Sequence, residues 1–245
     1  MYTNGYIFRY AAIMVIIAAA LLSSAAMLLK PFQDKNMAID KMGGILISAD
    51  IKDVETDKTI AMFNQFVTDA IVIDQDGNVV ENYTDASMQD SKAFSINMKN
   101  ELYKKSKGEN FELPIYIVEK EGNKMYIFPM LGVGLWGPVW GNFALKDDLN
   151  TIVGVTFGHK GETPGLGAEI TTPMFTDQFI GKQIFDENGE FTSILVVKGG
   201  AKTLAQNRQI HAVDAISGGT ITSNGVGDMI ENVMSSYIPY IEKQK

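Results

Sequence analysis

Cysteine is absent from the 245-residue chain, and histidine occurs only twice, at His159 and His211. Without thiols there can be no disulfide, no cysteine-ligated iron–sulfur cluster, no thiolate metal site and no cysteine nucleophile. Two histidines fall short of a three-histidine zinc site or a typical haem pair, although a mixed histidine and carboxylate site stays formally open. Basic residues are outnumbered, 21 Lys and Arg against 29 Asp and Glu, which gives a net charge of −8 and a pI near 4.8. That balance argues against binding nucleic acid, whose phosphates require a clustered basic surface. No GxGxxG follows a strand-like run, so the dinucleotide fingerprint is missing as well. Any redox role for such a chain needs an organic cofactor.

What is abundant is apolar sequence, 46% of the residues. Ala11 to Leu29 carries no charge and is flanked by Arg9 and Lys30. As a helix this run is roughly 28 Å long, close to the thickness of a bilayer's hydrocarbon core. It exceeds the usual h-region of a signal peptide, and no small-x-small cleavage site follows a shorter core, so an uncleaved anchor is expected over 1–30. A charged linker over 31–56 and one domain over 57–245 complete the expected organisation. Arg9 alone precedes the span, whereas Lys30, Lys35 and Lys41 follow it. By the positive-inside rule, that count favours a cytoplasmic domain.

Beyond the linker, Ile60, Met62, Phe63 and Phe66 point to a short helix. Three stretches then carry hairpin grammar, strand-like runs broken by Asp76-Gly77-Asn78, Gly122-Asn123 and Asn188-Gly189. The flanking runs are Ile71–Asp74 with Val79-Val80, Pro114–Glu119 with Met125–Pro129, and Gln183–Phe185 with Phe191–Val197. Thr151–Phe157 is a further β-branched strand, and Pro173–Ile180 a short helix with proline in its first turn. Val226, Met229, Ile230, Val233, Met234, Tyr237, Ile238 and Ile241 recur at helical spacing and form one apolar stripe, whose last turn Pro239 should kink or fray. The expected class is α+β: an N-terminal transmembrane helix, then one domain in which a mainly antiparallel twisted sheet is packed by helices.

Three segments carry candidate chemistry. Asp214-Ala215-Ile216-Ser217-Gly218-Gly219-Thr220 leads directly into the amphipathic helix and presents a hydroxyl at a glycine-cleared helix entrance, where unpaired N–H groups and the macrodipole favour a phosphate. The same residues also suit ordinary turn and N-cap chemistry. Gly134-Leu135-Trp136-Gly137-Pro138-Val139-Trp140-Gly141 sets both tryptophans of the chain in a segment too glycine-rich for a regular strand. These indoles either stack on a flat aromatic ligand or plug the core. The loop Gly158–Glu169 offers backbone donors from Gly165, Leu166 and Gly167, the Thr163 hydroxyl and the Glu162 carboxylate. Such groups can read the edge of a planar ring whose face Leu166, Leu135 or Trp136 covers.

Other matches fail on inspection. Lys198-Gly199-Gly200-Ala201-Lys202-Thr203 imitates a phosphate loop, but the glycine spacing is wrong and alanine separates Gly200 from Lys202, so a surface turn is expected. Asp74, Asp76 and Asn78 echo a calcium loop, yet Val79 stands where glycine is required. Neither histidine has a Ser or Cys partner signature.

Taken in order, the anchor, GLWGPVWG, GETPGLG and DAISGGTITSNGV resemble the NqrC family of the Na+-translocating NADH:quinone oxidoreductase over nearly the whole chain. The resemblance to the G subunit of the ion-translocating ferredoxin:NAD oxidoreductase is less close. Likeness to NqrC implies FMN joined covalently through a threonine phosphoester, attached by a flavin transferase that uses FAD and Mg2+. It also implies a single-pass inner-membrane protein with its domain on the periplasmic side, against the lysine count. Carried over by position, the acceptor is Thr220, with Thr222 as fallback. Asp214 and Ser217 match the motif and shape its loop, Ser217 by closing the turn, while Gly218 and Gly219 clear it. Gly219 replaces the family's alanine. The implied role is redox cycling of FMN between partner subunits of the complex. A flavin subunit of the ferredoxin-linked complex and a non-redox extracytoplasmic binding module are the alternatives.

Overall fold

Alternate residues of single strands belong to two different cores. In β3 (Glu112–Lys120), Leu113, Ile115 and Ile117 pack to one side, while Tyr116 and Val118 pack to the other. The same split runs through β1 (Val67–Asp74), where Ile71 and Ile73 oppose Ala70 and Val72. Successive side chains of a strand point to opposite faces, so a sheet covered on both faces must be apolar at every position. The unbroken apolar run of β3 follows from that requirement.

The computed structural model describes residues 3–84 and 88–245. Six antiparallel strands form the main sheet: β1, β2 (Val79–Tyr83), β3, β4 (Asn123–Val133), β5 (Pro138–Lys146) and β6 (Ile152–His159). Their order across the sheet is β2-β1-β3-β4-β5-β6. The C-terminal helix, here αC (Thr220–Gln244), covers one face through Val226, Met229, Ile230, Val233, Met234 and Tyr237. Tyr237 donates its hydroxyl to the carbonyls of Pro114 (3.1 Å) and Pro129 (2.9 Å), which ties the helix to two strands. The opposite face is covered by Met42, Ile45 and Leu46 and by Phe63 from the short helix Thr59–Phe66.

The chain divides into two packing units, Met1–Lys41 and Met42–Lys245. In the first, Ile13, Leu21, Leu22 and Leu28 are exposed, and the helix is long and apolar enough to cross a membrane. The helix does not stop where a linker was expected. It runs from Asn4 to Ser48 through Pro31, and Met42, Ile45 and Leu46 near its end are buried. The charged stretch from Asp50 to Lys58 lies beyond the helix end, outside any helix or strand, ahead of the short helix that begins at Thr59.

Two of the three expected hairpins are present, β1–β2 and β3–β4. The third shrinks to a single bridge between Phe185 and Phe191. Ser193 has φ +60, a conformation that interrupts an extended strand. The remainder, β7 (Leu195–Val197), pairs in parallel with β8 (Ala212–Asp214) instead. The tryptophan segment also differs from expectation, because Pro138-Val139-Trp140-Gly141 belongs to β5. Trp140 pairs with Leu131 on one side and Gly158 on the other, so tertiary pairing overrides the low strand propensity of glycine. Pro239 lies inside αC, which continues to Gln244.

Under the end of β6 lies an aromatic cluster. Phe157 and Phe179 stand edge to face with centroids 5.4 Å apart, and Phe143 and Phe179 do so at 5.7 Å. Such pairs contribute about 0.5–1.5 kcal/mol each beyond the area they bury. They hold the helical turns Pro173–Phe179 against the sheet, and with them the loop that follows β6.

Candidate functional site

Thr220 is the first residue of αC, and the loop 215–219 joins it to the end of β8 at Asp214. This loop turns tightly: Gly218 has φ +77, and the Gly219 N–H donates to the Ile216 carbonyl at 3.1 Å. Ser223 secures it from the helix side. Its hydroxyl oxygen accepts from the Ile216 N–H at 3.0 Å, and its own N–H donates to the Gly219 carbonyl at 2.9 Å. Ser217, expected to close the turn, is exposed, and Ser223 makes that bond in its place. Asp214 acts one loop further away, where its Oδ1 accepts from the Ala201 N–H at 2.6 Å. Its own N–H donates to Oε1 of Gln178 at 2.8 Å.

No side chain caps the start of αC. The N–H groups of its first turn therefore point out with their partial positive charge and no side-chain acceptor of their own, an arrangement suited to a phosphate. Leu166 lies across the two glycines ahead of it. A Cβ on Gly218 would stand 2.6 Å from Leu166 Cδ2, and one on Gly219 would stand 3.1 Å from the Leu166 carbonyl group and from Ile216 Cγ2. Glycine at 219 therefore matches this loop, and an alanine would have to displace Leu166 or Ile216 by a few tenths of an ångström.

Neither tryptophan plugs the core. Trp136 is 67% exposed, and Trp140, also exposed, lays its indole over Gly158, where a Cβ would fall 2.4 Å from Nε1. Leu135, Leu166 and Ile221 are exposed too. Of these, Leu166 lies against the glycines ahead of Thr220 and Ile221 follows it, so exposed apolar side chains border the start of αC.

Two of the three backbone donors expected of the loop after β6, those of Gly165 and Leu166, are paired within the loop. The Gly165 N–H donates to Oε1 of Glu169 at 2.9 Å, and the Leu166 N–H donates to the Thr163 carbonyl at 3.1 Å. A turn this tight satisfies its own amides. Thr163 and Gly165 are exposed, and Gly167 is buried. Glu162 is only 4% exposed and is spent inside the protein: Oε1 accepts from the Trp136 N–H at 2.8 Å, and Oε2 accepts from the Thr222 hydroxyl at 2.5 Å. It has no free edge to offer a ring. Thr222, the fallback acceptor, is 1% exposed and its hydroxyl makes this same bond. Sequence reasoning missed Ser223, Gln178 and the Ala201 N–H, since each acts through a contact distant in sequence or through the backbone.

Residues 134–235, from the tryptophan loop into αC, match the model of the FMN-binding domain family. The chain is 35% identical over 240 residues to the C subunit of the Na(+)-translocating NADH-quinone reductase from Neisseria meningitidis serogroup B, a match that covers 94% of this chain and 90% of the relative. It is 31% identical to the protein of the same name from Vibrio alginolyticus, over 86% of this chain and 82% of the relative. The crystal structure of the corresponding protein from Parabacteroides distasonis superposes with a TM-score of 0.73 at 36% identity, over 87% of this chain and 96% of that one. For NqrC of Shewanella oneidensis the TM-score is 0.67 at 27% identity, covering 84% and 97%. Fold and site together define an FMN-binding domain carried behind one long apolar helix. The chain belongs to the NqrC family, the C subunits of the Na+-translocating NADH-quinone reductases.

Proposed function

We propose that this protein is the membrane-anchored flavin subunit of a Na+-translocating NADH-quinone reductase and carries FMN esterified through its phosphate to the Thr220 hydroxyl. Family membership and the FMN-binding domain support FMN and a place in that oxidoreductase complex. The observation that carries the covalent assignment is the contrast between two neighbouring threonines. Thr220 is partly exposed at an uncapped helix start, whereas Thr222 is buried with its hydroxyl given to Glu162.

Attachment balances as a transfer. The Thr220 oxygen bonds to the FMN phosphorus of FAD, the pyrophosphate bond breaks, AMP leaves, and the threonine proton passes to the flavin transferase, which also supplies Mg2+. First-turn amides of αC would hold the phosphate, while Leu166, Trp136 and Leu135 would border the ring. Bound FMN supplies the electron-carrying chemistry, and the chain fixes its position and its access to water. Electrons would pass to and from other subunits of the complex. The apolar helix would sit in the lipid of the inner membrane with the domain on the periplasmic side.

Intact mass and peptide mapping test this reading on protein purified from cells that contain the transferase. One FMN on the peptide holding Thr220, abolished by Thr220→Ala, is the expected result. Unmodified protein that retains no flavin, beside an active transferase, would leave a non-redox binding module as the better description. A reporter fused after Lys245 tests the side of the membrane, and activity confined to the cytoplasm would overturn the periplasmic placement.

A further inference from the structure

Glu162 is a buried carboxylate that the proposed flavin chemistry leaves unused, and burying a carboxylate is costly unless its oxygens are matched by donors. Here they are matched by two donors from different parts of the chain. Oε1 takes the Trp136 N–H from the β4–β5 loop, and Oε2 takes the Thr222 hydroxyl from the first turn of αC. The Glu162 N–H is itself held by Nδ1 of His159 at 3.1 Å. Two glycines make the room. A Cβ on Gly134 would stand 2.6 Å from Oε1, and one on Gly167 would stand 2.5 Å from Oε2 and 2.4 Å from Thr222 Oγ1.

We propose that Glu162 is a positioning residue for flavin attachment: it sets the rotation of the first turn of αC, and so which threonine faces out, and fixes the Trp136 loop beside it. The inference rests on Thr220 being the acceptor. Successive residues of an α-helix are about 100° apart around the axis, so two positions differ by about 200°. Pulling Thr222 inward onto Glu162 therefore turns Thr220 away from the core. The helix start has no N-cap side chain, and Ser223, whose hydroxyl holds the Ile216 N–H, is bonded to the loop ahead of it and not to the sheet side where Glu162 sits. The same carboxylate ties down the backbone of Trp136, so the ring's border and the acceptor are held by one group.

The test uses the full-length protein with a limiting amount of the flavin transferase and FAD. The wild-type chain is read first, because failure to label it on Thr220 would refute the acceptor assignment and not the role of Glu162. The initial labelling rate and the visible circular dichroism of the attached flavin are then compared for Glu162→Ala, Glu162→Gln and Thr222→Val. Misplacing a reacting group by about 1 Å costs up to about a hundredfold in rate, so Glu162→Ala should label at least about tenfold more slowly and alter the flavin's dichroism. Glu162→Gln can still accept from Trp136 and can donate to the Thr222 oxygen, so it should restore most of both. Wild-type rate and dichroism in Glu162→Ala would overturn the proposal, as would a Gln variant as defective as the Ala variant. If Glu162→Ala does not fold, Thr222→Val decides by the same criteria, since it keeps the side-chain shape and removes only the hydroxyl.

Discussion

Gly225 passes so close over Val133 that a Cβ would stand 2.2 Å from that residue's carbonyl oxygen. The obstacle is backbone, so neither side chain can relieve it. Gly225→Ala must lift the start of αC from the end of β4, and overpacking of this kind costs about 1–3 kcal/mol. In a domain of this size the expected fall in Tm is several degrees, roughly 2–4 °C per kcal/mol. An unchanged melting temperature would show that the helix has slack at this crossing.

Tyr237→Phe removes a buried hydroxyl and leaves the carbonyls of Pro114 and Pro129 without its hydrogen bonds. Losing a buried partner costs about 1–3 kcal/mol. Urea titration should give a lower midpoint with an unchanged slope. A midpoint equal to wild type would mean that another donor reaches those carbonyls. Burial also holds the Tyr237 phenol well above its ordinary pKa, so this contribution should not titrate below pH 10.

Asp214 ties the turn 201–203 to the base of the Thr220 loop through the Ala201 N–H. Asp214→Ala should release that turn at a cost of about 1 kcal/mol, low for a charged acceptor because the carboxylate faces water. Amide exchange across 198–204 should quicken about fivefold. Ala201→Pro should release the turn further, since it removes the N–H and sets its ring carbon against the Asp214 carboxylate, 2.6 Å from that nitrogen. If exchange there matches wild type in both variants, the bond does not order the turn.

Asp148 provides a pH-dependent term. Partial burial pushes its carboxyl up, but hydrogen bonds from the Thr151 hydroxyl and from the Thr151 and Asn150 N–H groups outweigh this and leave its pKa below the ordinary 3.8. A depressed pKa stabilises the fold above the unfolded value and loses that contribution as pH falls through the folded value. The Tm gap between wild type and Asp148→Asn should therefore be full at pH 6 and close as the solution is acidified below 3.8. A gap that stays constant to pH 2.5 would contradict this assignment.

The apolar stripe of αC was legible because Val226, Met229, Ile230, Val233 and Tyr237 all bury on one face of a helix. The β1–β2 and β3–β4 turns were legible for the same local reason, glycine placed between apolar runs. The strand at Trp140 was not, because Gly141 and Gly158 are required by neighbours: a Cβ on the first would meet the Thr156 carbonyl at 2.4 Å, and one on the second would meet the Trp140 ring. Within the site, the motif pointed to Thr220, with Thr222 as the fallback. The difference between Thr220 and Thr222 depends on Glu162, 60 residues earlier in the chain. The lost third hairpin came down to the backbone conformation of Ser193, which no composition rule flags.

The helix that begins as an apolar span ends as part of a core, and this governs where a water-soluble form can be cut. Release just before Met42 keeps Met42, Ile45, Leu46 and Ala49 over the sheet. A protease site or truncation placed after Ser48 would discard the first three of these from the buried cluster that also holds Phe63 and Tyr116, and would uncover Gly154 of β6, which packs against the Ser48 backbone. The detached domain would then present a greasy face of its own making, and its clumping in solution would say nothing about natural partners.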